Sequence, residues 1–301
     1  MNAAAVTKLR VRAILNPSAR SGRARRALAR WRALEGVTLE WVVSESPAHL
    51  RRLVREAQED ELDAVLLAGG DGTVRLAADA LDAGHPVPLA ILPVGSGNDF
   101  ARELGVTRAT DPRQLLSKGV ARAVDVGRVT PGGARFCCVA SVGFDSTALE
   151  LIHGSWLPRS KLLNTVSALR ALWRTEASRV RVTWEGGAFE GPAMLVAATN
   201  TRSYGGGFLL TPDARTDDGQ LDVCVIGDIG RLRMVLEFPR IFRGTHGGRP
   251  GVTLARSPWV RIESLGAPMP VCLDGELASH TTPVELRCEP GAVRALSLVA
   301  S

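Results

Sequence analysis

The sequence predicts an α/β N-terminal domain, doubly wound about a mostly parallel sheet, followed by a β-rich, sandwich-like C-terminal domain. Three observations carry this reading. Strand-sized apolar runs alternate with helix-sized amphipathic runs through about residue 105, the pattern of a parallel sheet covered by helices. Two of these strands, Ala64–Ala68 and Leu89–Leu92, end in glycine-bearing turns that open into helices, namely Gly69-Gly70-Asp71-Gly72-Thr73 and Gly95-Ser96-Gly97-Asn98-Asp99. Beyond a Thr130-Pro131-Gly132-Gly133 turn, strand-like runs dominate.

Taken in order, Leu9–Leu15 is an apolar first strand that runs into the turn cluster Asn16–Gly22. Ala24, Leu28, Trp31 and Leu34 fall near one face of a helix over Arg23–Leu34, with arginines on the rest. Val37–Val43 is a second strand. Pro47–Glu59 is a helix with proline suited to its first turn. Leu62–Ala68 is the third strand and leads into the first glycine turn. Asp111–Ser117 is a short helix and Ala121–Val129 a strand, and the domains divide at 1–130 and 131–301, with the last strand a candidate to return to the first domain. The second half carries strands at Phe136–Ser141, Arg179–Trp184, Ala193–Thr199, Leu221–Ile226, Val260–Glu263, Val271–Asp274, Val284–Cys288 and Val293–Val299. Helices over Ser160–Trp173 and Arg231–Phe242 interrupt them. Leu162, Leu163, Val166, Leu169 and Leu172 on the first of these suit a core face or the entrance to a lipid site.

Composition narrows the function. At 301 residues the chain has ample length for two cores, and its apolar runs are strand-sized, far short of the ~18 residues of a membrane span. MNAAAVTKLR has no apolar leader core, so the expected location is cytoplasmic, with peripheral contact at a membrane surface. Five cysteines without CxxC spacing read as reduced core residues, and five histidines without ligand spacing read as surface or structural. The net charge of +6 equals the excess of twelve basic over six acidic side chains in the first sixty residues. That basic end suits a nucleotide or an anionic lipid surface, or a solvated helix face, and the arginines at 20–32 are candidates for membrane contact. Nucleic acid is not the expected partner, because no aromatic-rich stacking surface accompanies the charge. A homodimer is left open.

The glycine turns point to phosphate. Glycine lets backbone approach a ligand, and N–H groups in such turns and at the helix start behind them favour an anion. Neighbouring parallel strands bring their C-terminal turns to one crevice, where open α/β sheets bind ligands. Asp71 would be repelled by phosphate unless Mg²⁺ bridges them or the carboxylate orients a ligand. Thr73 adds a hydroxyl. There is no GxxxxGK[ST] and no GxGxxG after a strand, which excludes the Walker loop and removes the main support for a dinucleotide-binding reading.

Several longer stretches make the reading specific. They are NPSARSG (Asn16–Gly22), GGDGT (Gly69–Thr73), PVGSGNDFAR (Pro93–Arg102), SVGFDS (Ser141–Ser146), YGGGFLLTPDARTDDGQLDV (Tyr204–Val223) and LDGE (Leu273–Glu276). In this order they resemble the diacylglycerol kinase catalytic-domain superfamily, in particular its soluble bacterial lipid kinases. The resemblance implies a nucleotide domain, a β-rich lipid-substrate domain, a cleft between them, and transfer of the ATP γ-phosphoryl group to a lipid alcohol with Mg²⁺. By position it implies nucleotide contacts from Asn16, Ser44, Gly69, Gly70, Asp71, Gly72, Thr73, Gly95, Ser96, Asn98 and Asp99. It implies a catalytic set of Glu276 as general base with Asp274 beside it, and Asp71. It places Asp125 among the acidic positions around water and magnesium. A loop at Arg215–Gln220 is similar to one that holds a structural Mg²⁺ through the Asp218 carboxylate and the carbonyls of Arg215 and Gln220. Asp218-Gly219 and Asp274-Gly275-Glu276 also read as plain hairpin turns. Arg75 and Leu76 stand where the family often has Asn and Glu, and Arg75 either reaches a phosphate or faces solvent. Ser44 and Ser96 replace threonines and keep the hydroxyl. Two alternatives stay open: a NAD kinase-like phosphotransferase, which shares GGDGT, and a catalytically weak nucleotide- or lipid-binding protein.

Overall fold

A computed structural model describes residues 9–16, Ala29, 36–81, 87–153 and 161–299. Apart from Ala29, the helix expected over Arg23–Leu34 and the arginines at 20–32 therefore lie outside the described residues. The chain divides into two compact units, Met1–Val124 with Ala292–Ser301, and Asp125–Gly291.

In the first unit, β1 (Leu9–Leu15), β2 (Val37–Val43), β3 (Ala64–Gly69) and β4 (Leu89–Pro93) run parallel in the order β2-β1-β3-β4. β3 and β4 are buried along their whole length, which is why they read as unbroken apolar runs. Beyond β4, Ala295 of the last strand pairs in parallel with Leu89. Helix α1 (Pro47–Glu59) starts at Ser46, whose Oγ accepts the N–H of His49 at 3.1 Å, and it buries Leu50, Leu53, Val54 and Ala57. Buried Arg12 of β1 bonds Glu40 of β2 at 2.8 Å, Asp60 at 3.1 Å and the carbonyl of Leu53 at 3.3 Å, joining α1 to the sheet edge. Three short helices follow strands or turns: α2 (Asp71–Ala78), α3 (Asp99–Glu103) and α4 (Pro112–Lys118).

The second unit is antiparallel. Strand β5 (Val120–Thr130) leads into β6 (Arg135–Phe136), β7 (Val139–Gly143), α5 (Phe144–His153) and α6 (Lys161–Arg174). Next come β8 (Ser178–Trp184), β9 (Gly187–Thr199), β10 (Leu221–Gly227) and α7 (Arg231–Arg243). The chain then forms β11 (Val252–Ser257), β12 (Trp259–Ser264), β13 (Pro270–Leu273), β14 (Glu276–Thr281) and β15 (Val284–Ser297). Strand β9 organises the unit. Its first half pairs with β8, and its second half pairs with both β7 and β10, so one strand joins three others. The core between them is aliphatic, built from Val180, Val182, Val196, Val223, Val260 and Ile262 around Phe136.

The structure departs from the sequence expectations in the bounds of three strands and in three further elements. Phe136–Ser141 is not one strand: the ladder breaks at Cys137-Cys138, whose N–H groups turn to a side chain instead. Strand β9 begins six residues before the expected Ala193 and runs through Gly191-Pro192. Val284–Cys288 and Val293–Val299 are one 14-residue strand that passes through Pro290-Gly291. Helix α5 and strands β11 and β14 carry mixed polar patterns and were not expected.

Gly127 on β5 packs flat against Phe136, and a Cβ there would overlap the fully buried ring. Gly127→Ala is therefore expected to destabilise the second unit by about 1–3 kcal/mol through overpacking. Urea unfolding followed by circular dichroism measures this, and an unchanged midpoint would contradict the packing described.

Candidate functional site

The two glycine turns of the first unit meet backbone to backbone. A Cβ on Gly70 would lie 3.0 Å from the Cα of Gly95, and one on Gly95 would overlap the Cα of Gly70. The carbonyl of Gly69 accepts the N–H groups of Val94 at 3.1 Å and Gly95 at 3.2 Å. Asn98 holds a left-handed conformation, φ 58°, and its amide closes the second turn through the N–H and carbonyl of Gly95, at 2.9 and 2.8 Å. A Cβ on Gly69 would overlap Thr73, whose Oγ1 accepts from Asn16 Nδ2 at 2.9 Å. Asn16 itself sits at the end of β1, its N–H on the carbonyl of Ala68 at 3.1 Å. Buried Ser44 bonds the carbonyl of Leu15 through Oγ, at 3.0 Å, and through its N–H, at 2.9 Å. Thus Asn16, Ser44, Gly69–Thr73 and Gly95–Asp99 come together at the C-terminal ends of β1 to β4. Ser96 is exposed at the tip.

Asp71 links the turns. Its Oδ1 accepts the N–H of Phe100 at 3.0 Å. Burial, then the nearby Asp99 carboxylate, push the Asp71 carboxyl above the usual range, against the backbone N–H groups of residues 98–100, which favour its charged form. Asp99, 2% exposed, is paired with Arg102, which also reaches the carbonyl of Gly97 at 3.1 Å. Helix α2 opens at Gly70 with no side-chain cap, and such a helix start favours an anion. Arg75 does not face solvent. Its side chain is 12% exposed and lies 3.8 Å from Asp79, which also pairs with Arg51 at 3.1 Å.

In the second unit, Asp125 anchors the Arg215–Gln220 loop. Its Oδ2 accepts the N–H of Gly219 and its Oδ1 that of Gly291, both at 2.7 Å, while its own N–H goes to the carbonyl of Thr216 at 2.8 Å. Burial raises the Asp125 carboxyl, helped by Asp218 and Asp217 and opposed by the two N–H groups. Asp218 Oδ1 accepts from Gln220 N–H at 3.1 Å, and its Oδ2 lies 3.6 Å from Arg256. Among the described residues no group of three or more His, Cys, Asp or Glu side chains could hold a metal ion. A loop supplying one carboxylate and backbone carbonyls, in a surplus of negative charge, is nonetheless a hard-oxygen donor set that fits Mg²⁺.

Asp274 and Gly275, at φ 48° and 81°, form the two-residue turn between β13 and β14. The Asp274 carboxylate receives three backbone N–H groups, from Cys137 and Cys138 at 2.7 Å and Val139 at 2.9 Å. That is the work of a structural acceptor, and it holds the hairpin that presents exposed Glu276. Asn200 is the residue that sequence reasoning missed. Fully buried, it donates from Nδ2 to the carbonyls of Asp125 at 2.7 Å and Cys137 at 3.0 Å, tying the two acidic sites together. Its neighbourhood to Tyr204 in the TNTRSYGGG run was the available signal. The same run explains SVGFDS: Asp145 accepts from Ser141 at 2.7 Å and from Tyr204 at 3.1 Å, with burial raising its carboxyl.

The chain is similar to known proteins along nearly its whole length. The diacylglycerol kinase catalytic domain model matches residues 10–129, and the YegS C-terminal NAD kinase beta sandwich-like domain model matches residues 138–297. A diacylglycerol kinase of Mycobacterium tuberculosis is 32% identical over 299 residues, covering 95% of this chain and 94% of that protein. A YegS-like lipid kinase of Stenotrophomonas maltophilia is 33% identical over 303 residues, covering 96% of each. A crystal structure of a diacylglycerol kinase from Bacillus anthracis superposes with a TM-score of 0.72 at 22% identity, covering 96% of each chain, and so shares the fold. With matches to both domain models and relatives of this identity along nearly its whole length, the chain belongs to the diacylglycerol kinase family of lipid kinases.

Proposed function

We propose that this protein transfers the γ-phosphoryl group of ATP, with Mg²⁺, to the hydroxyl of a lipid alcohol of the diacylglycerol class. The observation that carries the reading is the Gly70–Gly95 contact pinned by Asp71, which leaves an uncapped helix start at a glycine turn. In this reading Gly69–Thr73 and Gly95–Asp99, with Asn16 and Ser44 behind them, receive the nucleotide. Asp71 orients it and Asp99 supports Asp71. Bound Mg²⁺ would neutralise phosphate charge, and the Asp218 loop with the carbonyls of Arg215 and Gln220, anchored by Asp125, would hold a structural ion. Phosphoryl transfer asks the protein for positioning and charge rather than covalent chemistry. Glu276 takes the proton of the acceptor hydroxyl, and Asp274 and Asn200 position its hairpin. The acceptor class rests on the kinase relatives of M. tuberculosis and S. maltophilia. A cytoplasmic enzyme of this kind meets its substrate at a membrane surface, and no helix among the described residues is long and apolar enough to cross one.

Labelled ATP with Mg²⁺, offered diacylglycerol, sphingoid bases and NAD separately, tests the reading. Label is expected in a lipid, and label in NAD alone would overturn it. Glu276→Gln should lower kcat by about 10²–10⁴-fold, the usual worth of a general base, with the thermal unfolding midpoint unchanged.

Asp71 separates geometry from charge. Asp71→Asn keeps an acceptor for Phe100 N–H, so nucleotide binding should persist while turnover falls; Asp71→Ala should lose both. Titration calorimetry with ATP and steady-state kinetics read the two effects, and equal nucleotide affinity in Asp71→Ala would refute the clamp.

Because the Asp71 carboxyl is raised, it takes up its proton at a higher pH than an ordinary aspartate. The acidic limb of kcat/KM should therefore sit above the ordinary carboxylate range. Asp99→Asn removes the neighbouring negative charge and should move that limb to lower pH, whatever it does to the plateau.

A further inference from the structure

Helix α7 is apolar on two opposite sides, and only one of them is covered. Met234, Phe238 and Ile241 are buried. On the outer side, Leu232 is 70% and Leu236 64% exposed, with Pro239 and Phe242 exposed beyond them at helical spacing. Phe242 is held in place from within, its ring 4.1 Å from that of Phe208 and 5.8 Å from that of Phe238. A helix apolar on both sides usually has a partner on each.

The exposed charges on the helix itself are of one sign. Arg231, Arg233 and Arg243 are exposed on the helix. Its single acidic residue, Glu237, is turned inward, 6% exposed, and is matched by Arg240 and Arg249 at 2.9 Å each. The nearest acid in the chain before it, Asp228, is occupied in capping Gly230 N–H at 3.0 Å. Helix α6 packs against α7 and exposes a row of the same composition: Val166, Arg170, Trp173 and Arg174, with Trp173 54% exposed.

We propose that the outer faces of α7 and α6 seat the protein on an anionic phospholipid bilayer. Leucines and a tryptophan enter the boundary between headgroups and acyl chains, and the arginines meet lipid phosphates. A row of arginines with no exposed acid on the same helix complements a negatively charged surface, whereas an ordinary protein interface mixes both signs. The reason a bilayer is met at all rests on the lipid-kinase reading; seating itself requires no turnover.

The test is co-sedimentation of the full chain with vesicles of phosphatidylcholine alone and of phosphatidylcholine mixed with phosphatidylglycerol. Two variants are compared: Leu232→Ser with Leu236→Ser, and Arg231→Gln with Arg233→Gln and Arg243→Gln. Thermal melting confirms that each is folded. The wild-type chain should sediment with the mixed vesicles and weakly with phosphatidylcholine, and each variant should partition about tenfold less. Salt should weaken wild-type binding, and weaken that of the arginine variant less. Folded variants that partition like wild type, or wild-type binding indifferent to phosphatidylglycerol, would overturn the proposal. So would a dimer in gel filtration that the leucine variant dissociates, since a second copy would then cover this face. Intact vesicle binding without phosphorylation of any lipid would support the seat and refute the kinase reading instead.

Discussion

The first unit depends on a single steric constraint: the backbones of Gly70 and Gly95 touch at their Cα atoms. Everything that follows from β3 and β4 is arranged to permit this approach. The strands are neighbours in register, Gly69 opposite Pro93, so their turns emerge side by side. The Gly69 carbonyl receives two N–H groups from the second turn, and Asp71 receives a third from Phe100. Once side chains are absent from the contact, the anchoring has to come from backbone hydrogen bonds and one carboxylate. Burial of that carboxylate strengthens each bond it makes and raises the cost of its charge. A position that is both rigid and electrostatically expensive is where chemistry is commonly found.

The second unit solves a comparable problem with different means. Cys137 and Cys138 leave the β ladder, and their N–H groups and that of Val139 need acceptors. Asp274 supplies them from a left-handed turn position. From the other side, Asn200 binds the carbonyls of Asp125 and Cys137, and its own N–H goes to the carbonyl of Cys138. The break between β6 and β7 is thus a junction in which Asp125, Asn200 and Asp274 each satisfy backbone groups. Removing any one strands buried donors or acceptors, at a cost typically of about 1–3 kcal/mol for each group left unsatisfied.

What was legible in the sequence followed from local signals. Strand–helix alternation, the Ser46–Pro47 start of α1 and the glycine turns are statements about neighbouring residues, and their elements appear where periodicity placed them. That adjacent turns bring the candidate residues Asn16, Thr73 and Asn98 together was legible for the same reason. The rest depended on long-range partners. Nothing near Cys137 announces that Asp274 will take its N–H across 137 positions, so the strand looked continuous. The start of β9 at Gly187 is set by its pairing with β8, while its second half pairs with β7 and β10. Asn200 carries no motif of its own, and its value lies wholly in two carbonyls far away in sequence.

The acidic residues then divide by environment. Asp71, Asp125, Asp218 and Asp274 each accept backbone N–H groups, and Asp99 is paired with Arg102. Each is buried or half-buried, and each fixes a turn or loop. Glu276 differs: it is exposed, at the first position of β14, directly after the turn that Asp274 locks. A residue that must exchange a proton with a substrate needs access to it, while its direction must be fixed from below. Under the proposed function Asp274 and Glu276 suit two halves of one task, the first ordering the backbone and the second standing exposed on the turn so ordered. The adjacency in LDGE has its physical basis in that division.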